Sequence, residues 1–188
     1  MPPSDLTDAL TDVVTRLEAV GVDYMLTGSA AGFFCGLSRS TGDLDIVLDL
    51  AHEQVAPLVE VFDGDYYIEP DAVFDAVEHA SMFNVIPMRW GLKTDFIVLC
   101  NEPFDLTVFG RRHQAKWHGA PIWVIRPADL VLSKLRWARE SFSGQQLADI
   151  RAIMATGLVS EDDDFRGWIE QLRLHDILDA SRTTRYDA

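Results

Sequence analysis

Apolar residues recur every three or four positions near the start of the chain. Leu6, Leu10, Val13, Val14 and Leu17 fall on one face of a helix predicted over residues 4–20. Ser4 or Asp5 can cap that helix, and Gly21 ends it. The pattern then shortens. Residues 23–27 read as a short strand and residues 44–50 as a longer one rich in aliphatic and β-branched side chains. Between them lies a short helix over 30–37, with Gly28 and Ser29 at its entrance. Helices over 52–62 and 72–80 follow. Strands over 82–88 and 94–99 flank a turn at Trp90-Gly91, and 103–110 form a helical turn. A hairpin of 114–117 with 122–125 closes on His118-Gly119.

At Pro127 the texture changes. A helix over 127–140 starts on proline and carries Leu130, Val131, Leu135 and Trp137 among its apolar residues. The polar joint SFSGQQ leads to a helix over 146–154. The acids of EDDD suit the start of another helix, and the tail over 165–180 is also helical. Strands fill the first two thirds and helices the last third. The expected class is α/β (α+β), with a core over 1–126 and a helical subdomain over 127–188.

Charge narrows the function. The 188 residues carry a net charge of −14, all of it from one half: residues 1–88 have 16 Asp and Glu against 2 Lys and Arg, whereas 89–188 have 14 of each. Repulsion from phosphates disfavours binding to long nucleic acid. An acid-rich half suits divalent cations, although most of its acids form a solvated surface. No apolar run approaches the ~20 residues that span a bilayer, so no membrane is expected. The acidic start MPPSDLTDAL does not resemble a signal peptide. Cys35 and Cys100 follow no metal spacing and read as reduced thiols, which places the chain in the cytoplasm. Arg111, Arg112, His113 and Lys116 form a basic cluster, read either as a guide for an acidic partner or as a solvated hairpin.

The chemistry concentrates in GSAAGFFCGLSRSTGDLDIVLDL, residues 28–50. Asp43 and Asp45 stand two apart on a strand, so their carboxylates share one face of the sheet. They repel each other unless a cation is present, and a few carboxylates with water and phosphate oxygens suit Mg²⁺ or Mn²⁺. Asp95 sits in the otherwise apolar run KTDFIVL, where a lone acid is costly unless paired or metal-bound. Three such carboxylates could hold two ions roughly 3.5–4 Å apart and clamp a phosphoryl group. Gly28 lets backbone approach a ligand, and the free N–H groups after Ser29 favour an anion. On this reading Gly28→Val crowds the ligand while leaving the fold mostly intact. Ser38, Arg39 and Thr41 add hydrogen-bonding groups for a nucleotide.

Gly-Ser, a short helix, Asp-x-Asp on a strand and a third Asp on a later strand resemble the signature of the nucleotidyltransferase fold shared with DNA polymerase β. The wording RSTGDLDIV, and later DLVLSKLRWARESFSGQQLADIRAIM, resembles the AbiEii-like branch, which includes toxins of type IV toxin–antitoxin pairs. The resemblance covers roughly residues 20–155. It implies a mixed sheet with a helical C-terminal appendage. It also implies that Gly28 and Ser29 contact nucleotide phosphates, that Asp43 and Asp45 bind Mg²⁺, and that Asp95 helps activate the attacking hydroxyl. Lys134 would contact the triphosphate, and Asp149 matches an acid of the second helix. Gly144-Gln145-Gln146 stands where toxin relatives often carry a basic pair.

The expected function is a Mg²⁺-dependent, ATP- or other NTP-binding nucleotidyltransferase. It moves an NMP group to an acceptor hydroxyl on tRNA, protein or a small molecule, with an antitoxin protein as a further partner. The alternative is a catalytically silent nucleotide-binding or protein-interaction module on the same fold. For Lys134 the alternative to a phosphate contact is a solvated lysine on an ordinary amphipathic helix.

Overall fold

In DLDIVLD, polar and aliphatic residues alternate, and the strand they form, β2 (Asp43–Asp49), shows that alternation as burial: Leu44, Ile46 and Leu48 are fully buried, while Asp43, Asp45 and Val47 are not. This strand organises the molecule. A computed structural model describes residues 6–37, 41–88, 92–141 and 143–183. The described residues fall into two compact units: one runs to Ala30 and resumes at Thr41 to end at Ile125, and the other joins 31–37 to the residues from Arg126 onward.

The first unit holds all seven described strands: β1 (Asp23–Thr27), β2, β3 (Tyr66–Tyr67), β4 (Met82–Pro87), β5 (Lys93–Val98), β6 (His113–Trp117) and β7 (Ala120–Val124). They form one mixed sheet in the order β3-β4-β5-β2-β1-β7-β6. Pairing is parallel for β2 with β5 and for β1 with β7, and antiparallel elsewhere. One face carries Tyr66, Phe83, Val85, Phe96, Val98, Leu44, Ile46 and Leu48, all buried. Helices α1 (Leu6–Ala19), α3 (Val55–Phe62) and α4 (Pro70–His79) pack together and against β1, β4 and β5. Each such side chain contributes roughly 1.5–3 kcal/mol when fully buried. The opposite face carries Asp43, Asp45, Lys93, Asp95 and Asn84.

In the second unit α6 (Pro127–Ser141), α7 (Gly144–Ala155), α8 (Asp163–Gln171) and α9 (His175–Thr183) pack on one another. Ser143 caps α7 by accepting from the Gln146 amide, and Asp162 caps α8 by accepting from the Phe165 amide. Arg151 of α7 donates to the Ser181 carbonyl of α9 at 3.0 Å. Among the described residues no helix is long and apolar enough to cross a membrane.

Three elements differ from the sequence reading. The helix expected over 30–37 is α2 (Gly28–Gly32), five residues long and beginning at the glycine, followed by a 3₁₀ turn at Phe33–Cys35. The tail is two helices, because Arg173 takes a left-handed φ of 53° between α8 and α9. Strand β3 went unread because two residues carry no period; Tyr66 is held by its hydroxyl, which donates to Asp12 of α1 at 2.6 Å.

Candidate active site

The parallel register of β2 and β5 sets Asp45 beside Asp95 and Asp43 beside Lys93. On the other side of β2, Asp45 lies opposite Thr27, the last residue of β1. The chain leaves β1 through Gly28 with φ 62°, a left-handed conformation that glycine adopts without a Cβ penalty. A Cβ on Gly28 would lie 1.9 Å from Asp45 Oδ2, so the Asp45 carboxylate occupies the space that any other residue at 28 would fill. Gly28 is therefore required by Asp45 as well as by the turn, and the expectation that Gly28→Val leaves the fold mostly intact does not hold. Ser29 follows in the first turn of α2, which is too short to develop a helix dipole; any anion there would meet single N–H groups.

The Thr41 hydroxyl lies 3.1 Å from Asp43 Oδ1 and 3.0 Å from the Asp43 carbonyl, which steadies the start of β2 beside the carboxylate. Ser38 and Arg39 lie outside the described residues. So does the turn at Trp90-Gly91.

Asp95 is 7% exposed. The Asn84 amide donates to its Oδ1, and Lys93 Nζ lies 2.7 Å from its Oδ2. Burial of a carboxylate on these terms is tolerable because both oxygens have partners. The hydrogen bond to Asp95 pushes the Lys93 pKa above its ordinary value. Partial desolvation opposes the rise, and the charges of Asp95, Asp43 and Asp45 add to it. Lys93 and Asn84 are the site residues that sequence reasoning missed. The two-residue rule that paired Asp43 with Asp45 applies equally to Lys93 and Asp95, whereas Asn84 needs the β4–β5 register, which sets it opposite Asp95.

These residues suit a hard divalent cation in part. Asp43 and Asp45 offer carboxylate oxygens on one face of the sheet, and Gly28 clears the space for one of them. Asp95 is engaged by a resident ammonium, and among the described residues no three His, Cys, Asp or Glu side chains converge into a ready-made metal cluster.

Lys134 belongs to the helical unit. Its amine donates to Asp149 Oδ2 and to Gln146 Oε1, each at 2.9 Å, with side chains 4% and 3% exposed for Lys134 and Asp149. Gln145 donates to the other Asp149 oxygen at 3.2 Å. The lysine is thus not the solvated residue of an ordinary amphipathic helix. In the basic cluster, Arg112 pairs with Asp23 at 3.2 Å and stacks on Phe109 and Trp123, so it braces the hairpin.

No protein-family model and no curated protein matches the sequence. Solved structures are similar in fold. An antigenic nucleotidyltransferase-like protein from Paracoccidioides brasiliensis matches with a TM-score of 0.58 at 17% identity, over 96% of this chain and 94% of that one. The antibiotic-resistance factor ANT(2″)-Ia matches in its solution structure with a TM-score of 0.57 at 13% identity, over 94% of this chain and 93% of that one. Its crystal structure in complex with adenylyl-2″-tobramycin matches with a TM-score of 0.59 at 12% identity, over 90% of this chain and 98% of that one. With its mixed sheet, the Gly-Ser turn after β1 and paired aspartates on β2, the chain has the nucleotidyltransferase fold.

Proposed function

We propose that the chain transfers a nucleoside monophosphate from an NTP to an acceptor hydroxyl. The observation that carries this reading is the Asp45 carboxylate lodged against Gly28, with Asp43 two residues away on the same face of β2. In the reaction the acceptor oxygen bonds to the α-phosphorus, the bond to the β-phosphate bridging oxygen breaks, and pyrophosphate leaves. Asp43 and Asp45 would hold Mg²⁺ or Mn²⁺, which supplies charge neutralisation on the phosphate oxygens. Thr41 orients Asp43, and the Thr27-Gly28-Ser29 corner brings backbone N–H groups to the same place. Asp95, fixed by Asn84 and Lys93, is the carboxylate suited to receive the acceptor proton. Such transfers ask the protein mainly for positioning and electrostatics.

Lys134 stands apart from this reading, because its amine is already bonded to Asp149 and Gln146 inside the helical unit. Lys134→Met combined with Asp149→Leu removes the charge while keeping the helices filled. NTP affinity should be unchanged in that variant, whereas a ten- to hundredfold loss, the worth of a charged hydrogen bond of roughly 1.5–3 kcal/mol, would assign the amine to the triphosphate.

The acceptor is best sought by fractionation. Beyond Asn84 the same strand exposes Met82 and Ile86, and β3 exposes Tyr67, so an acceptor with an apolar face fits better than a polyanion. Pyrophosphate release is measured with each NTP, Mg²⁺, and small-molecule, protein or RNA fractions. Release that needs both Mg²⁺ and one fraction is the expected result, with the small-molecule fraction strongest. No release from any combination would leave the silent module on the same fold. A toxin role, with an antitoxin partner, predicts growth arrest on expression that Asp43→Asn with Asp45→Asn relieves.

A further inference from the structure

Lys93 has no place in the chemistry outlined so far beyond steadying Asp95, yet it is the cation built into the acid cluster. Its backbone lies directly opposite Asp43 across the β2–β5 ladder. Strands in such a ladder are about 4.8 Å apart, so opposite charges facing each other there attract. Its ammonium lies 2.7 Å from Asp95, and the fields of Asp43 and Asp45 also reach it. Asn84 holds the remaining side of Asp95.

We propose that Lys93 is a resident cation that takes the place beside Asp95 a second divalent ion would otherwise occupy, so that the site takes up a single divalent ion, at Asp43 and Asp45. The charges agree. Three carboxylates and one ammonium sum to −2, which one divalent ion balances; without the ammonium the same carboxylates carry −3 and repel one another more strongly. The inference rests on the proposed metal-dependent reaction and adds to it the number of ions and the reason for that number. Lys93 acts as a positioning residue: it holds Asp95 in place and keeps a metal ion off it.

The test counts bound Mn²⁺ on the full chain without nucleotide, by the loss of the free-ion signal in electron paramagnetic resonance. Wild type should saturate at one ion, Lys93→Met at two and Lys93→Arg at one. In EDTA the methionine variant should melt lower by about 4 °C, and Mn²⁺ should restore it. A wild type that binds two ions, or a Lys93→Met variant that still binds one, overturns the role of Lys93 and leaves the reaction standing. A wild type that binds none removes the metal site itself, and the reaction with it. If Lys93→Met does not fold, the wild-type count of one or two decides alone.

Discussion

Two lysine–aspartate pairs, one in each compact unit, have nearly the same geometry and opposite surroundings. Lys93–Asp95 closes at 2.7 Å with the lysine side chain 42% exposed, and Lys134–Asp149 closes at 2.9 Å with both side chains all but sealed. The first stands on the non-core face of a sheet beside further carboxylates, where Asp95 is buried but the half-exposed Lys93 can turn to water. The second lies inside a helical unit, where neither partner can. Distance alone therefore says little about what an ion pair does. A pair whose cation is half-exposed adjusts the charge of a site at small cost to the fold, whereas a pair with both partners buried binds the fold to the presence of both.

The largest effect separates the two. Asp149→Ala leaves the Lys134 ammonium buried without its counterion, which costs about 3–5 kcal/mol. Urea denaturation should show it, and Lys134→Met with Asp149→Leu should recover most of the loss. Asp95→Ala should cost about 1 kcal/mol or less, because Lys93 can turn to water. Equal losses at the two aspartates would erase the distinction.

Gly28 gives the next effect. Gly28→Ala should destabilise by about 1–3 kcal/mol, from left-handed backbone strain and displacement of the Asp45 carboxylate. Gly21 shares the conformation, with φ 66°, but a Cβ there meets nothing within 4 Å. Gly21→Ala should therefore cost only the backbone share, about 1 kcal/mol, with no loss of divalent-ion binding. Matching melts for the two variants would show that the Asp45 contact carries no weight.

The smallest effect belongs to the helical unit. Burial pushes the Cys35 thiol up to about 11, with the Lys134 charge pulling the other way. The folded pKa exceeds the unfolded value of about 8.5. The neutral thiol's contribution is thus whole below pH 8.5 and declines as pH rises toward 11. Cys35→Ala should flatten that alkaline decline in the urea midpoint. In the folded wild type at pH 8, iodoacetamide should label the part-exposed Cys100 before the buried Cys35.

What could be read in advance follows from the range of each interaction. The alternation of DLDIVLD is local, so β2 and the shared face of Asp43 and Asp45 were legible. The closing hairpin announced itself by His118-Gly119, where both residues take positive φ. Asn84 was hidden because its role exists only in the β4–β5 register. Lys134 and Asp149 were each legible as helix positions, but their bond joins α6 to α7 and no period within either helix encodes it. The left-handed turn at Arg173 was hidden for a different reason: neither glycine nor asparagine marks it. Lys93 was missed although the rule that finds it was in hand, because a lysine before an acid on a strand reads as surface.

The most direct measurement sets function against stability in one variant. Asp43→Asn with Asp45→Asn removes two like charges from one face of the sheet while keeping the size of both side chains. The expected result is a urea midpoint at or above that of wild type, together with pyrophosphate release from NTP and acceptor that falls to background. Release at the wild-type rate from the folded variant would contradict it.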